Sequence, residues 1–561
     1  MNTNNYAPPS IAPGVDLDLS RNEGRDPREF SQGLVLGPGL ALYPSTNDLR
    51  NELAKRYGLS NGQVLLTSGG DGALLRTCLA TLREGGVALI ARPTFEMIPR
   101  YVELAGGTCH EFSWPEGDFP VEAMIAASEL QTRLVFVVSP NNPTGAVASA
   151  TDVRRIAEAM PQTLVVLDAA YGELAGADPT MEVLDLPNVV VVRTFSKAWG
   201  LASLRVGYLL GSETNIAMLG ASGNPFPVSQ MAANLALARL RSGESDMLEY
   251  ARQVRFERED LMACFETYGY SCAKPNEANF VLVRGLPVLW FKDSLGALGI
   301  AVRIFPDRPE LQDAVRISLP GDDLVFARLK EALAIVMEPE AILFDLDGVL
   351  ADVSRSYREA IIGTAAEFGV ALTAGDIEEA KRRGQANDDW ELTRTLIAER
   401  AVPPDLAEVT ERFERLYQGT ELEEGLRERE TLLVSKADLQ GWAARFRIGI
   451  VTGRPRRDAE RFLERFALSG TFEVLVCRED AALKPSPEPV MLALGSLGVK
   501  RAWMLGDTRD DLEAARIAGV LPVGVIPPGV DPGPCRAGLM ANGASLVVQN
   551  AQEIGEYLSC K

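Results

Sequence analysis

Five short, uninterrupted apolar runs, each closed by a polar cluster and followed by helical text, constrain this chain more than any other feature. They are Val64-Leu-Leu66, Val87-Ala-Leu-Ile90, Leu134-Val-Phe-Val-Val138, Leu164-Val-Val-Leu167 and Val189-Val-Val-Val192. Runs of this length, rich in β-branched residues, predict strands buried on both faces. Their alternation with helices predicts an α/β fold around a mostly parallel sheet. Ligands of such sheets gather at the carboxyl ends of the strands. The polar clusters there are therefore the first candidates for a site.

Those clusters are Thr67-Ser-Gly-Gly-Asp-Gly72, Arg92-Pro-Thr-Phe95, Ser139-Pro-Asn-Asn-Pro-Thr-Gly145, Asp168-Ala-Ala-Tyr171 and Arg193-Thr-Phe-Ser-Lys197. Glycines entering a helix present backbone N–H groups to a phosphate, although a plain tight turn has the same sequence. Phe95 stacks on a flat ring or fills core. An aspartate closing an apolar strand needs a partner, which a helix N-terminus also supplies. Lys197, between the hydroxyls of Thr194 and Ser196 and eight residues before Arg205, suits a Schiff-base amine beside a phosphate.

In this order the clusters resemble the fold-type-I aminotransferases, most closely the histidinol-phosphate aminotransferase branch, over about residues 15–338. The resemblance implies a large sheet domain plus a small α/β domain, and pyridoxal 5'-phosphate held as a Schiff base by Lys197. It implies that Asp168 faces the pyridine nitrogen, that Tyr171 and Asn142 reach the ring's 3-oxygen, and that Phe95 stacks where a tyrosine is usual. Gly70, Asp71, Thr194, Ser196 and Arg205 would hold the cofactor phosphate. Tyr43 would reach it from a second subunit, implying a homodimer. Arg316 would grip the donor's α-carboxylate and Arg303 a substrate phosphate. Ala169 departs from the acidic residue often found there, and residues 115–131 match no part of the pattern.

A second pattern begins at once after Val336-Met-Glu-Pro339, predicting a domain boundary at 338/339. In Ala341-Ile-Leu-Phe-Asp-Leu-Asp-Gly348 two carboxylates, Asp345 and Asp347, stand two apart at the end of a buried strand and invite a cation. Ile448-Gly-Ile-Val-Thr-Gly453, Leu483-Lys-Pro485 and Met504-Leu-Gly-Asp-Thr-Arg-Asp-Asp511 follow. The set resembles the haloacid dehalogenase (HAD) superfamily of phosphohydrolases over 340–561. It implies a Rossmann-like domain with an α-helical cap near 357–442. Asp345 would be the nucleophile and Asp347 the acid and base. Thr452 and Lys484 would face the phosphoryl group, and Asp345, Asp347, Asp507 and Asp511 would serve Mg²⁺. Asn387-Asp-Asp-Trp390 reads as a helix N-terminus, with substrate contact as the other reading.

Composition narrows the partners. The net charge of −21 leaves no basic excess for nucleic acid or an anionic membrane. Seven cysteines without a CxxC pair indicate neither a disulfide framework nor a zinc site. His110 is the only histidine, which removes histidine-based triads and metal centres. No signal pattern and no run of ~18 apolar residues is present, so a cytoplasmic protein acting on small molecules is expected. The joined patterns lead to a bifunctional enzyme. It would transaminate a phosphorylated keto substrate such as imidazole-acetol phosphate and dephosphorylate the amino-alcohol phosphate. The alternative is an aminotransferase or decarboxylase of specialised metabolism whose HAD domain acts on an unrelated phosphomonoester or is a non-catalytic module.

Overall fold

The computed structural model describes residues 14–27, 42–384 and 388–558. Contacts divide the chain into two compact units. Of the described residues, the first gathers those within 18–288 and 302–328; the second gathers those within 289–301 and 329–558 together with 14–17.

The first unit is built on a seven-stranded sheet in the order Val64–Ser68, Val206–Gly211, Val189–Thr194, Leu164–Asp168, Thr132–Val138, Val87–Arg92, Thr108–Ser113. All five apolar runs are strands of this sheet and run the same way. The sheet is nonetheless mixed, because Val206–Gly211 lies antiparallel between Val64–Ser68 and Val189–Thr194. The sheet is mostly parallel, as expected, with this one strand reversed. The strand follows Lys197 after only a short turn, too little chain for the helical crossover that a parallel neighbour requires. Leu134, Phe136, Val166, Val190 and Val192 pack one face of the sheet against Leu74 and Cys78 of the helix Gly69–Thr81. A four-stranded antiparallel sheet stands beside it in the order Arg303–Ile304, Ala314–Ser318, Phe280–Arg284, Ser271–Cys272.

The second unit holds a six-stranded sheet whose neighbours are all parallel, in the order Val474–Val476, Arg447–Val451, Ala341–Phe344, Ala502–Gly506, Leu521–Val525, Leu546–Val548. Four helices, Tyr357–Glu367, Ala374–Arg383, Asp389–Ala398 and Leu406–Gln418, form the inserted cap. The chain enters and leaves that insertion through a two-stranded ribbon, Ala351–Asp352 against Thr431–Leu432. The next helix, Lys436–Ala443, already packs on the core strand Arg447–Val451. Among the described residues no helix is long and apolar enough to cross a membrane.

Candidate active sites

The carboxyl ends of the large sheet open into a cavity of about 270 Å³. Its lining includes Gly70, Asp71, Phe95, Asn142, Asp168, Tyr171, Thr194, Ser196, Lys197, Arg205, Arg303 and Arg316. Every residue expected at the first site lines this cavity except Tyr43, which is 82% exposed and stacks on Phe226 at 4.7 Å. Lys197 is half-buried; its Nζ donates to the Asn22 carbonyl at 2.9 Å and lies 5.3 Å from the Tyr171 ring centroid. Asp168 closes its strand and accepts one backbone N–H, from Ala170 at 3.2 Å. Burial pushes its carboxyl up to about 7. A buried carboxylate with so little hydrogen bonding is short of a cation, which a protonated ring nitrogen supplies.

Around the start of Gly69–Thr81, Thr194 Oγ1 donates to Ser196 Oγ at 2.9 Å, and Arg205 reaches Ser196 Oγ at 3.3 Å and Asp71 Oδ2 at 2.8 Å. Hydroxyls, a guanidinium and the N-terminus of a thirteen-residue helix converge there, which is the donor set of a phosphate cradle. Its tightness depends on a residue that local sequence did not reveal. A Cβ on Gly207 would lie 2.4 Å from the carbonyl carbon of Gly69.

Arg303 and Arg316 are register partners across two antiparallel strands, so both side chains leave the same face of the small sheet as nearest neighbours. Arg316 donates to Asn142 Oδ1 and to the Ser20 carbonyl, both at 2.6 Å, and Arg303 lies 3.5 Å from Glu96. Arg308 joins them at the cavity wall. Asn142 thus meets Arg316, while the buried Asn141 braces the turn through Thr94, Pro93 and Thr144. Asn22 was not anticipated. Its φ is +56°, its side chain accepts from Ser318 Oγ at 2.7 Å and lies 3.4 Å from Tyr171 Oη, and it arrives from a segment remote in sequence. His110 is exposed on an outer strand, stacked on Phe112, and takes no part.

In the second unit Asp345, Thr452 and Asp507 each follow the last residue of one of three adjacent parallel strands. Oxygens of Asp345, Asp507 and Asp511 lie within 4.8 Å of one another. Lys484 donates to Asp345 Oδ1 at 2.7 Å and to the Val451 carbonyl at 3.1 Å, and also pairs with Asp511. Burial, outweighing Lys484, pushes the Asp345 carboxyl well up, and burial pushes Asp507 up to about 7. Asp345 and Asp511 are buried and Asp507 is half-buried, and these three clustered carboxylates, faced by Lys484 and Lys381, offer the oxygen ligands that a divalent cation takes. Gly348, at φ +78°, permits the turn after Asp347, since a Cβ there would lie 2.5 Å from Asp507 Oδ2. The Asp347 carboxylate is turned away from that group, onto Arg454. Asp388 caps the helix Asp389–Ala398 and pairs with Arg478 at 2.7 Å, while Asp389 and Trp390 line the cavity over the carboxylates. Asn387 lies outside the described residues.

Fold and sites define a two-part enzyme: a lysine-lined cavity at the carboxyl ends of a large sheet, followed by a capped cluster of aspartates. The chain belongs to the class I and II aminotransferases, whose family model matches residues 21–333, and the haloacid dehalogenase-like hydrolase model matches residues 342–525. It is 36% identical over 292 residues to an aromatic amino acid aminotransferase of Thermobifida fusca (50% of this chain, 79% of that protein). It is 33% identical over 255 residues to histidinol-phosphate aminotransferase 1 of Bacillus cereus (44% and 68%). An imidazoleglycerol-phosphate dehydratase of Phytophthora nicotianae shares 47% identity over 197 residues, 34% of this chain and only 44% of that protein. Among solved structures, the histidinol-phosphate aminotransferase of Sinorhizobium meliloti in complex with pyridoxal-5'-phosphate superposes with a TM-score of 0.51 at 26% identity, over 57% of this chain and 90% of that one.

Proposed function

We propose that this protein transaminates a phosphorylated keto substrate and removes the phosphate from the resulting amino-alcohol phosphate, with pyridoxal 5'-phosphate at the first site and Mg²⁺ at the second. The observation that carries the reading is the Arg303/Arg316 pair. Register sets two guanidiniums side by side at the cavity wall, a fork-shaped donor pair suited to two anions, beside the Glu96 carboxylate that Arg303 meets at 3.5 Å. A substrate phosphate and a donor carboxylate are such anions. Relatives named for histidinol phosphate and imidazoleglycerol phosphate support an imidazole-bearing substrate as the first candidate.

Pyridoxal phosphate, when bound, withdraws electrons from the substrate's α-carbon and so acidifies its C–H bond. Asp168 would hold the proton on the ring nitrogen; Thr194, Ser196, Arg205 and the Gly70–Asp71 backbone would hold the phosphate. Tyr171 and Asn142 would orient the ring and Phe95 would stack on it. Arg316 would bind the donor carboxylate, and Lys197 Nζ would take up the proton that the α-carbon releases and later give it back. Tyr43, exposed in the single chain, would complete the site of a second copy in a homodimer.

At the second site Asp345 attacks phosphorus, a new P–O bond forms, and the ester P–O bond breaks as the leaving oxygen takes the proton of Asp347. Water then attacks the aspartyl-phosphate and gives its proton to Asp347, so phosphate leaves and Asp345 is restored. Lys484 and Thr452 stabilise charge on the transferring group. Asp345, Asp507 and Asp511 would hold Mg²⁺.

The test is phosphate release by the full chain with Mg²⁺, offered histidinol phosphate, other amino-alcohol phosphates and amine-free sugar phosphates, with Asp345→Asn as control. Turnover confined to amine-bearing esters supports consecutive steps. Equal or better turnover of amine-free esters overturns them.

A further inference from the structure

The cavity over Asp345 and Asp347 measures only about 40 Å³, room for one or two waters, and is lined from both the core and the cap. Core and cap side chains meet over these carboxylates, and one chain of contacts between them reaches Asp347.

Arg454, two residues past Thr452, is almost completely buried. One edge of its guanidinium meets Asp347 Oδ1, from Nε at 2.6 Å and Nη2 at 2.5 Å. The other edge meets Glu430, Nη1 to Oε2 at 3.1 Å and Nη2 to Oε1 at 3.2 Å. Glu430 is itself buried and stands immediately before Thr431–Leu432, one strand of the ribbon through which the chain enters and leaves the cap. It also accepts Ser356 Oγ at 2.9 Å and Tyr417 Oη at 3.1 Å. Ser356 precedes the first cap helix and Tyr417 lies on the last. The Tyr357 ring centroid lies 4.9 Å from the guanidinium carbon and that of Phe462 5.4 Å.

We propose that Arg454 is a positioning residue that couples cap closure to the orientation of the Asp347 carboxylate. A guanidinium is flat and rigid, so a displacement of Glu430 with the ribbon tilts the whole plane and swings its other edge at Asp347. When the cap closes, Ser356, Tyr417 and Glu430 lock together, and Arg454 presents one Asp347 oxygen to the guanidinium and frees the other for the leaving group. When the cap lifts, Arg454 loses that lock and Asp347 is no longer held for proton transfer, which confines it to the sealed site. A buried ion pair adds little to stability compared with apolar packing of the same volume. Fastening the cap to its base would need only the Glu430, Ser356 and Tyr417 contacts. The proposal rests on the reading of Asp347 as acid and base.

The experiment uses the full chain with Mg²⁺ and two esters: an alkyl phosphate, whose leaving group needs a proton, and 4-nitrophenyl phosphate, whose leaving group departs without one. Arg454→Met is expected to lower turnover of the alkyl ester about 10²-fold or more. With the aryl ester it should release one rapid equivalent of nitrophenol and then stall, because aspartyl-phosphate hydrolysis still needs Asp347 as base. Glu430→Gln, which never touches Asp347, should show the same pattern at about tenfold; it carries the test if Arg454→Met does not fold. Arg454→Lys should restore part of the loss. Equal losses on both esters without a burst would overturn the proposal and leave Arg454 a structural pin. A wild-type protein that releases phosphate from neither of these esters nor from any amino-alcohol phosphate would overturn the phosphatase reading itself, and the proposal with it.

Discussion

Asp168 joins burial to chemistry at a single position. Its carboxyl, ordinarily near 3.8, is pushed by burial to about 7 in the cofactor-free protein. Between those two pH values the folded state binds more protons than the unfolded state. Stability without cofactor therefore falls as pH rises from about 4 to about 7, by up to about 4 kcal/mol. Asp168→Asn should remove this dependence: cofactor-stripped variant and wild type should melt together near pH 4, and the variant should melt higher at pH 8. Equal melting at pH 8 would show that Asp168 has a cationic partner in the empty pocket. Lys197→Ala removes the amine proposed to move the proton, and transamination should fall about 10²–10⁴-fold. Melting temperature should stay close to that of the wild type, since Lys197 makes one side-chain hydrogen bond, to the Asn22 carbonyl. Lys197, Asp168, Asp345 and Asp347 were all legible in the sequence because each follows a strand and carries charge where an apolar run ends. Asn22, Gly207 and Arg454 were not, because their roles depend on neighbours distant along the chain.

Elements explain why the two sites are as narrow as they are. The strand Val206–Gly211 runs against the start of Gly69–Thr81 so closely that residue 207 has no space for a methyl group. Gly207→Ala should push the Gly69–Gly70 turn outward, cost about 1–3 kcal/mol as overpacking does, and weaken cofactor retention at least tenfold in dialysis. Unchanged retention would show that the turn does not shape the cradle. The antiparallel course of this strand was hidden because an apolar run carries no mark of direction; the short connection from Lys197 decided it. Arg303 and Arg316 read as separate candidates thirteen residues apart, and only the register of two strands made them neighbours. In the cap, Asp388 behaves as its sequence suggested, accepting the N–H groups of Trp390 and Glu391 at the helix start.

On the scale of the molecule, contacts divide at Arg328/Leu329, while the two family models end and begin on either side of the proposed boundary at 338/339. Within the second unit, Trp503 of the core sheet donates Nε1 to the Ile335 carbonyl at 2.9 Å. Trp290 lies against Trp503 and Tyr557, with ring centroids 6.1 and 5.7 Å apart. A fragment beginning at residue 339 would bare Trp503. It should melt several degrees below the hydrolase transition of the full chain in calorimetry and bind more of a hydrophobic dye. Matching melting temperatures would make the two parts independent. The proposed homodimer has its own check. Sedimentation should give twice the mass of 60.7 kDa, and Tyr43→Ala should lower cofactor affinity without changing that mass.

The sequence by itself determined the two domains, the buried strands and the charged residues at their ends. Apolar periodicity and the cost of burying a charge are local properties that can be read along a chain. Only the tertiary structure decided the direction of the Val206–Gly211 strand, the juxtaposition of Arg303 with Arg316, the closing of the pocket by Asn22, and the chain from Glu430 through Arg454 to Asp347. Each depends on segments brought together by packing, and packing is set by the complementarity of whole surfaces, which no single stretch of sequence contains.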